Sequence, residues 1–172
     1  PHVGRVDRGH RDLRATQHSL PSRRSGDVAW DESGWSVSSA GDFNGDGFND
    51  VIIGALGANS YAGNSYVIYG TKTPPSSISL GSLTPQQGFT ITGAAVDDES
   101  GCSVSLAGDF NDDGLDDVVI GAPGANGNAG NSYVIYGTNS TPSSISLGSL
   151  TPLQGFTITG AARLDLSGAS VS

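Results

Sequence analysis

The stretch AGDFNGDGFNDVIIGA, Ala40 to Ala55, sets Asp42, Asp46 and Asp50 close together and then turns abruptly apolar. It recurs as AGDFNDDGLDDVVIGA, Ala107 to Ala122. Like charges crowded in a short loop repel one another and disfavour a compact state. The arrangement makes sense if something positive belongs among them, and it is needed twice. The apolar half of each copy, such as DVVIGA from Asp117 to Ala122, reads as a strand buried on both faces.

Working outward, both copies sit in a longer repeat. GNSYVIYGT at Gly63 recurs at Gly130, SSISLGSLTP at Ser76 recurs at Ser143, and GFTITGAA at Gly88 recurs at Gly155, all with an offset of 67. About three-quarters of the positions are identical between 26–92 and 93–159. The expected units are therefore 25–92 and 93–159. Residues 160–172 are expected to begin a third unit and to form its first strand. Within a unit, four segments carry strand composition: Ser103 to Asp109, Asp117 to Ala122, Asn131 to Gly137 and Gly155 to Gly160. Gly, Pro and Asn clusters separate them. The longest connection, Thr138 to Gln154, reads as a surface loop with room for one short strand, Ile145 to Leu147.

Four strands repeated at a fixed period predict an all-β fold of β-propeller blades, each a four-stranded antiparallel sheet. A β-sandwich does not require near-identical repeats. A solenoid coil usually runs to roughly 20–30 residues, well short of this period. The chain is read as a partial propeller of two blades with the start of a third. It contains no methionine, so it is expected to be a segment of a longer protein.

Composition agrees with short strands and tight turns. Glycine accounts for 26 of 172 residues, about twice the usual share of roughly 7%. The formal net charge is -9, and the basic residues are concentrated at one end. Residues 1–24 hold six arginines, whereas the rest of the chain has only Lys72 and Arg163 to set against its acids. An acidic body argues against nucleic acid, which calls for a basic surface, and favours a cation. No apolar run approaches the roughly 20 residues of a membrane span. The lone cysteine, Cys102, cannot form an intrachain disulfide.

Counted from Asp42, side-chain oxygens fall at loop positions 1, 3, 5 and 9: Asp42, Asn44, Asp46 and Asp50. The second copy gives Asp109, Asn111, Asp113 and Asp117. Gly47 and Gly114 occupy position 6, where a sharp reversal needs positive φ. Calcium takes six to eight oxygens from carboxylates, amides, backbone carbonyls and water. The carbonyls of Phe48 and Leu115, at position 7, are the natural backbone ligands. An EF-hand starts similarly, but it needs a glutamate at position 12 and flanking helices. Here that position is Ile53 or Ile120, and a strand follows. The loop is therefore read as a calcium hairpin with about one Ca²⁺ per blade. Mg²⁺ prefers fewer protein ligands and keeps its waters.

With these residues in place, the unit resembles the FG-GAP repeat, the blade of the integrin α-subunit propeller and of many bacterial surface and secreted proteins. The resemblance rests on the DxNxDGxxxD-type loop and on Gly121-Ala122-Pro123. Two departures stand out: the FG element reads Ser33-Gly34 and Ser100-Gly101, and the first GAP reads Gly54-Ala55-Leu56. The resemblance implies an extracellular, secreted or cell-surface location, structural calcium, and a role in adhesion or ligand binding rather than catalysis. It also implies a protein or carbohydrate ligand on the face opposite the calcium loops. In this chain that face would carry Asp31-Glu32, Gly57 to Ala62, Asp97-Asp98-Glu99 and Gly124 to Ala129. The competing expectation is a set of accessory blades of a secreted, phospholipase D-like hydrolase whose catalytic domain lies elsewhere.

Other features carry less. His2, His10 and His18 all lie in the segment 1–24, so the repeats can assemble no Cys/His or Ser/His/Asp site. Cys102 reads as a small, half-buried residue. Tyr66, Tyr69, Tyr133 and Tyr136 read as packing between blades. Asn139-Ser140-Thr141 is a glycosylation sequon, relevant in a eukaryotic secretory pathway. Residues 1–24 read as a linker or unrelated stretch without order rather than as a basic arm. Two blades alone leave sheet edges bare, so further blades of the parent chain or self-association are expected.

Overall fold

The computed structural model describes residues 30–172. The expectations for segment 1–24, including its lack of order, lie outside the described residues. The rest is all-β, as the repeat predicts. The first sheet contains β1 (Ser36–Gly41), β2 (Asp50–Ala55), β3 (Asn64–Ile68) and β4 (Gly88–Thr92) in antiparallel order. The second repeats it with β5 (Ser103–Gly108), β6 (Asp117–Ala122), β7 (Asn131–Ile135) and β9 (Gly155–Thr159). These are the blades of a propeller-type fold, and each strand follows its composition. In β6 the β-branched residues suit a pleated surface covered on both sides, whereas in β2 Val51 is exposed and Ile53 half-buried, so only one of its faces is fully covered.

The register is the same in both sheets. Ile52 faces Val67 across β2 and β3, as Val119 faces Val134 across β6 and β7. Each first strand ends in a bulge, between Ser39 and Gly41 and between Leu106 and Gly108. Gly41 and Gly108 have φ of +62° and +70°. An extra residue paired with a left-handed glycine turns the strand sharply into the acidic loop.

The core lies mainly between the blades. Ile52, Val67, Phe89 and Ile91 of the first sheet, with Phe43 of its acidic loop, join Val104, Val118, Ile120 and Ile135 of the second in one buried cluster. Burying one such side chain stabilises by roughly 1.5–3 kcal/mol, so this interface dominates the stability of the pair. Phe43 and Phe89 stack at 5.7 Å, and Phe110 and Phe156 repeat the contact at 5.5 Å. Tyr69 and Tyr133 lie in the shared cluster, whereas Tyr66 packs in a smaller one with Ala55 and Ala58.

Three expectations are revised. The short strand in the long connection is β8, Ser144–Ser146, one residue earlier than expected, followed by a tight 3₁₀ turn at Leu147–Ser149. Although it belongs to the second unit, β8 pairs parallel with β4, with Ile145 opposite Ile91. The first blade therefore has five strands rather than four, and the fifth comes from its neighbour. The third revision concerns 160–172, expected to form a strand. The segment makes turns and one isolated bridge, Ser167 to Gly130. A first strand in this repeat is held by the second strand of its own unit, as β1 is by β2. No such partner exists for it among the described residues.

Candidate metal centre

The acidic loops are the turns that join β1 to β2 and β5 to β6. Local chemistry shapes them. Asp42 Oδ1 accepts the N–H of Asp46 at 2.9 Å, and its Oδ2 accepts that of Gly47 at 3.0 Å. Asn44 Oδ1 shares the Asp46 N–H at 3.1 Å. Asp46 Oδ1 accepts the N–H of Phe48 at 2.9 Å, while Asn44 Nδ2 donates to Asp46 Oδ2. Such side chain-to-backbone bonds are the reason Asp and Asn populate turns. Gly47 has the expected positive φ of +86°, as does Gly114 at +87°.

The second loop repeats this pattern. Asp109 accepts Asp113 and Gly114 N–H at 2.9 Å each, Asn111 Oδ1 accepts Asp113 N–H, and Asp113 Oδ1 accepts Leu115 N–H at 2.9 Å. In both loops, the side chains at positions 1 and 3 thus share the N–H of position 5, and the side chain at position 5 holds the N–H of position 7. Phe48 and Leu115, proposed through their carbonyls, are tied to position 5 through their N–H groups.

Asp50 and Asp117 behave differently. Both are buried. Asp50 Oδ2 accepts the N–H of Phe43 at 3.1 Å, and Oδ1 accepts that of Gly70 at 2.8 Å. Asp117 does the same with Phe110 at 2.9 Å and Gly137 at 2.8 Å. Each carboxylate clips the loop's start to the second residue after the third strand. Burial pushes the Asp50 carboxyl up to about 6, against the Gly70 N–H, with the Asp46 charge adding to the rise. Burial also raises Asp117, opposed by the Gly137 and Phe110 amides.

The donor chemistry fits a hard cation. Every side-chain donor is an oxygen, and each carboxylate oxygen retains a lone pair beyond the hydrogen bond it accepts. The residues that would hold Ca²⁺ are Asp42, Asn44, Asp46 and Asp50, and their counterparts Asp109, Asn111, Asp113 and Asp117. Among the described residues, no three acidic, histidine or cysteine side chains already stand at ligating distance around one point. The loops are preformed in backbone and register, and their side chains would still have to close on an ion.

Asp116 escaped the sequence reading. Its Oδ2 accepts the Asp42 N–H at 2.8 Å, and Thr138 N–H donates to the Phe43 carbonyl at 2.9 Å. The second blade thus braces the first blade's loop. The only available signal was that Asp116 is an extra carboxylate where the first unit has Asn49.

At the other end of the strands, the loops expected to meet a ligand adjoin one another. Glu99 N–H donates to the Tyr61 carbonyl at 2.8 Å, and Gly124 N–H to the Asp98 carbonyl at 3.1 Å. Cys102 is half-buried, and burial beside Glu99 pushes its thiol up. Among the described residues, no helix is long and apolar enough to cross a membrane.

A family profile described as FG-GAP repeat matches residues 33–68 and 103–135. Each match spans the first three strands of a blade and the acidic loop between the first two. The chain is similar to phosphatidylinositol-glycan-specific phospholipase D of Mus musculus, 33% identical over 121 residues, which cover 64% of this chain and 14% of that protein. It is also similar to integrin alpha-11 of Homo sapiens, 36% identical over 94 residues, covering 53% of this chain and 7% of that one. A shorter match, 48% identical over 48 residues, is to integrin alpha pat-2 of Caenorhabditis elegans, covering 27% of this chain and 4% of that protein. The chain spans only a small part of the length of each relative.

Proposed function

The chain carries FG-GAP repeats, and from that premise we propose that it is a calcium-stabilised propeller segment of an extracellular or cell-surface protein that binds a ligand. One observation carries the reading: the side-chain oxygens at positions 1 and 3 share the N–H of position 5 in both copies, position 5 accepts the N–H of position 7, and a buried aspartate closes the loop. Calcium there would neutralise the aspartates and stiffen the first hairpin of each blade. Its role is structural. Extracellular calcium near millimolar fills even weak sites, which is the support for a secreted or surface location. Adhesion is the function that the integrin alpha relatives favour. The ligand, protein or carbohydrate, would meet the loops around Tyr61 and Asp97 to Glu99, away from the calcium.

A second reading has its own support. The phospholipase D relative matches more of this chain than integrin alpha-11 does. On that reading the same blades accompany a hydrolase domain encoded elsewhere, and this segment is itself no enzyme.

Calorimetric titration of the chelated protein with Ca²⁺ tests the metal. About two ions bound per chain, lost in the double variant Asp46→Ala/Asp113→Ala, is the expected result. No heat and an unchanged melting curve would leave the loops as turns and sink the calcium role.

A further inference from the structure

We propose that Asp116 of the second blade is a positioning residue for the calcium loop of the first, and that it makes this loop the tighter of the two. The proposal rests on the calcium reading above. Asp116 lies between Leu115 and Asp117 in its own loop, outside that loop's donor set. Its carboxylate reaches the first loop instead, where Oδ2 accepts the Asp42 N–H at 2.8 Å. The Asp116 N–H donates back to the Asp42 carbonyl at 3.4 Å. Asp42 is the first donor of its loop, and its own carboxylate already holds the Asp46 and Gly47 amides. Both backbone groups of Asp42 are therefore fixed from the neighbouring blade. The contact extends along the loop. The Asp116 carboxyl fills the place where a Cβ on Gly41 would be, Leu115 Cδ2 lies 2.7 Å from the corresponding place on Gly45, and Thr138 N–H holds the Phe43 carbonyl.

The repeat supplies an internal control. Gly108, the equivalent of Gly41, has nothing within 4 Å of its absent Cβ. Phe110 is 60% exposed, whereas its equivalent Phe43 is 0% exposed. The second loop thus has the same donors and the same turn bonds, but no such brace among the described residues. A donor held in place before the ion arrives loses less freedom on binding. Groups that fix metal ligands in position typically set affinity by roughly 10–100-fold. A calcium loop of this repeat is completed by the blade that follows it, and among the described residues only the first loop is so completed.

Calorimetric titration of the full chain with one loop disabled tests this. Asp109→Ala removes the first donor of the second loop and leaves the first to be measured, and Asp46→Ala does the converse. Adding Asp116→Ala should weaken Ca²⁺ binding about tenfold in the Asp109→Ala background. In the Asp46→Ala background it should change binding no more than Asp112→Asn does, which removes an exposed carboxylate of the same loop. Binding retained there also shows that the Asp116 variant is folded. Asp116→Asn keeps an oxygen that can accept the Asp42 N–H and should restore the affinity of the first loop. In chelator, the Asp42 amide proton should exchange slowly in the wild type and faster in Asp116→Ala, which reads the brace without metal. Equal weakening of both loops, or an Asp116→Asn variant as weak as Asp116→Ala, would overturn the proposal, since either points to charge alone. First-loop binding or Asp42 exchange that Asp116→Ala leaves unchanged would overturn it while the calcium reading stands. No binding in either single-loop background would overturn both together.

Discussion

Gly54 of the first blade lies against the carbonyl oxygen of Gly101 of the second, which occupies the place where a Cβ on Gly54 would be. Gly101 is fixed from its other side, since its N–H donates to the Gly121 carbonyl at 3.0 Å. Gly121 meets the carbonyl of Gly168 in the same way. The glycine of one unit's GAP element is thus the seat for the glycine of the next unit's FG element.

Gly54→Ala should therefore destabilise by about 1–3 kcal/mol, the usual cost of overpacking a fixed interior. Gly54 does not have positive φ, so the cost is steric and not conformational. Gly81, with nothing near its absent Cβ, is the control. Gly81→Ala should be neutral or stabilise slightly, through the unfolded chain. Urea melts of the two variants decide it, and equal effects would show that the contact is unimportant.

Asp50 should matter without any metal. Asp50→Ala leaves the Phe43 and Gly70 amides without their acceptor, at roughly 1–3 kcal/mol for each buried group. Asp42→Ala, in an exposed turn, should cost less in chelator. In calcium the gap between them should narrow, because both would then lose a ligand. Denaturation in the two buffers measures this, and an Asp42 variant as damaging as the Asp50 variant in chelator would contradict it.

In chelator the pH dependence should run against the usual acid sensitivity. The folded Asp50 carboxyl titrates near 6 against an ordinary value of 3.8. A raised acid binds its proton more tightly when folded, so its stabilising contribution is full below the ordinary value and is lost as pH rises through about 6. The wild-type melting temperature, relative to that of Asp50→Asn, should fall between pH 4 and pH 7. A flat difference would mean that the carboxyl is not desolvated.

Ile145 and Ile78 are equivalent residues in different settings. Ile145 is buried on the neighbouring blade's edge, and among the described residues Ile78 has no such edge to cover. Ile145→Ala should cost about 2–5 kcal/mol, in the range for a buried large-to-small change. Ile78→Ala should cost much less in dilute protein. Equal losses in thermal melts would indicate that β8 does not brace the first blade.

Much of the architecture could be read from residue patterns. The 67-residue offset and the runs from Asp50 to Ala55 and from Asp117 to Ala122 located the blades, because strand burial leaves a local signature. The oxygens at 42, 44, 46 and 50 located the loop, because turn chemistry acts over a few residues. The partner of Ile145 was not legible: a three-residue strand has too little pattern to choose between its own blade and the one before it. The bracing by Asp116 was hidden for a related reason, since its target is a backbone amide, which has no side-chain identity.

The sequence by itself determined the repeat, the strands within it, and where its charge is concentrated, all of which depend on neighbours along the chain. Only the tertiary structure decided that the main core lies between blades, that β8 belongs to the preceding sheet, and that residues 160–172 make no strand. These depend on which surfaces and edges find a partner in space. Identical segments such as Ser77–Ser79 and Ser144–Ser146 take different conformations because, among the described residues, only the second has an edge to join.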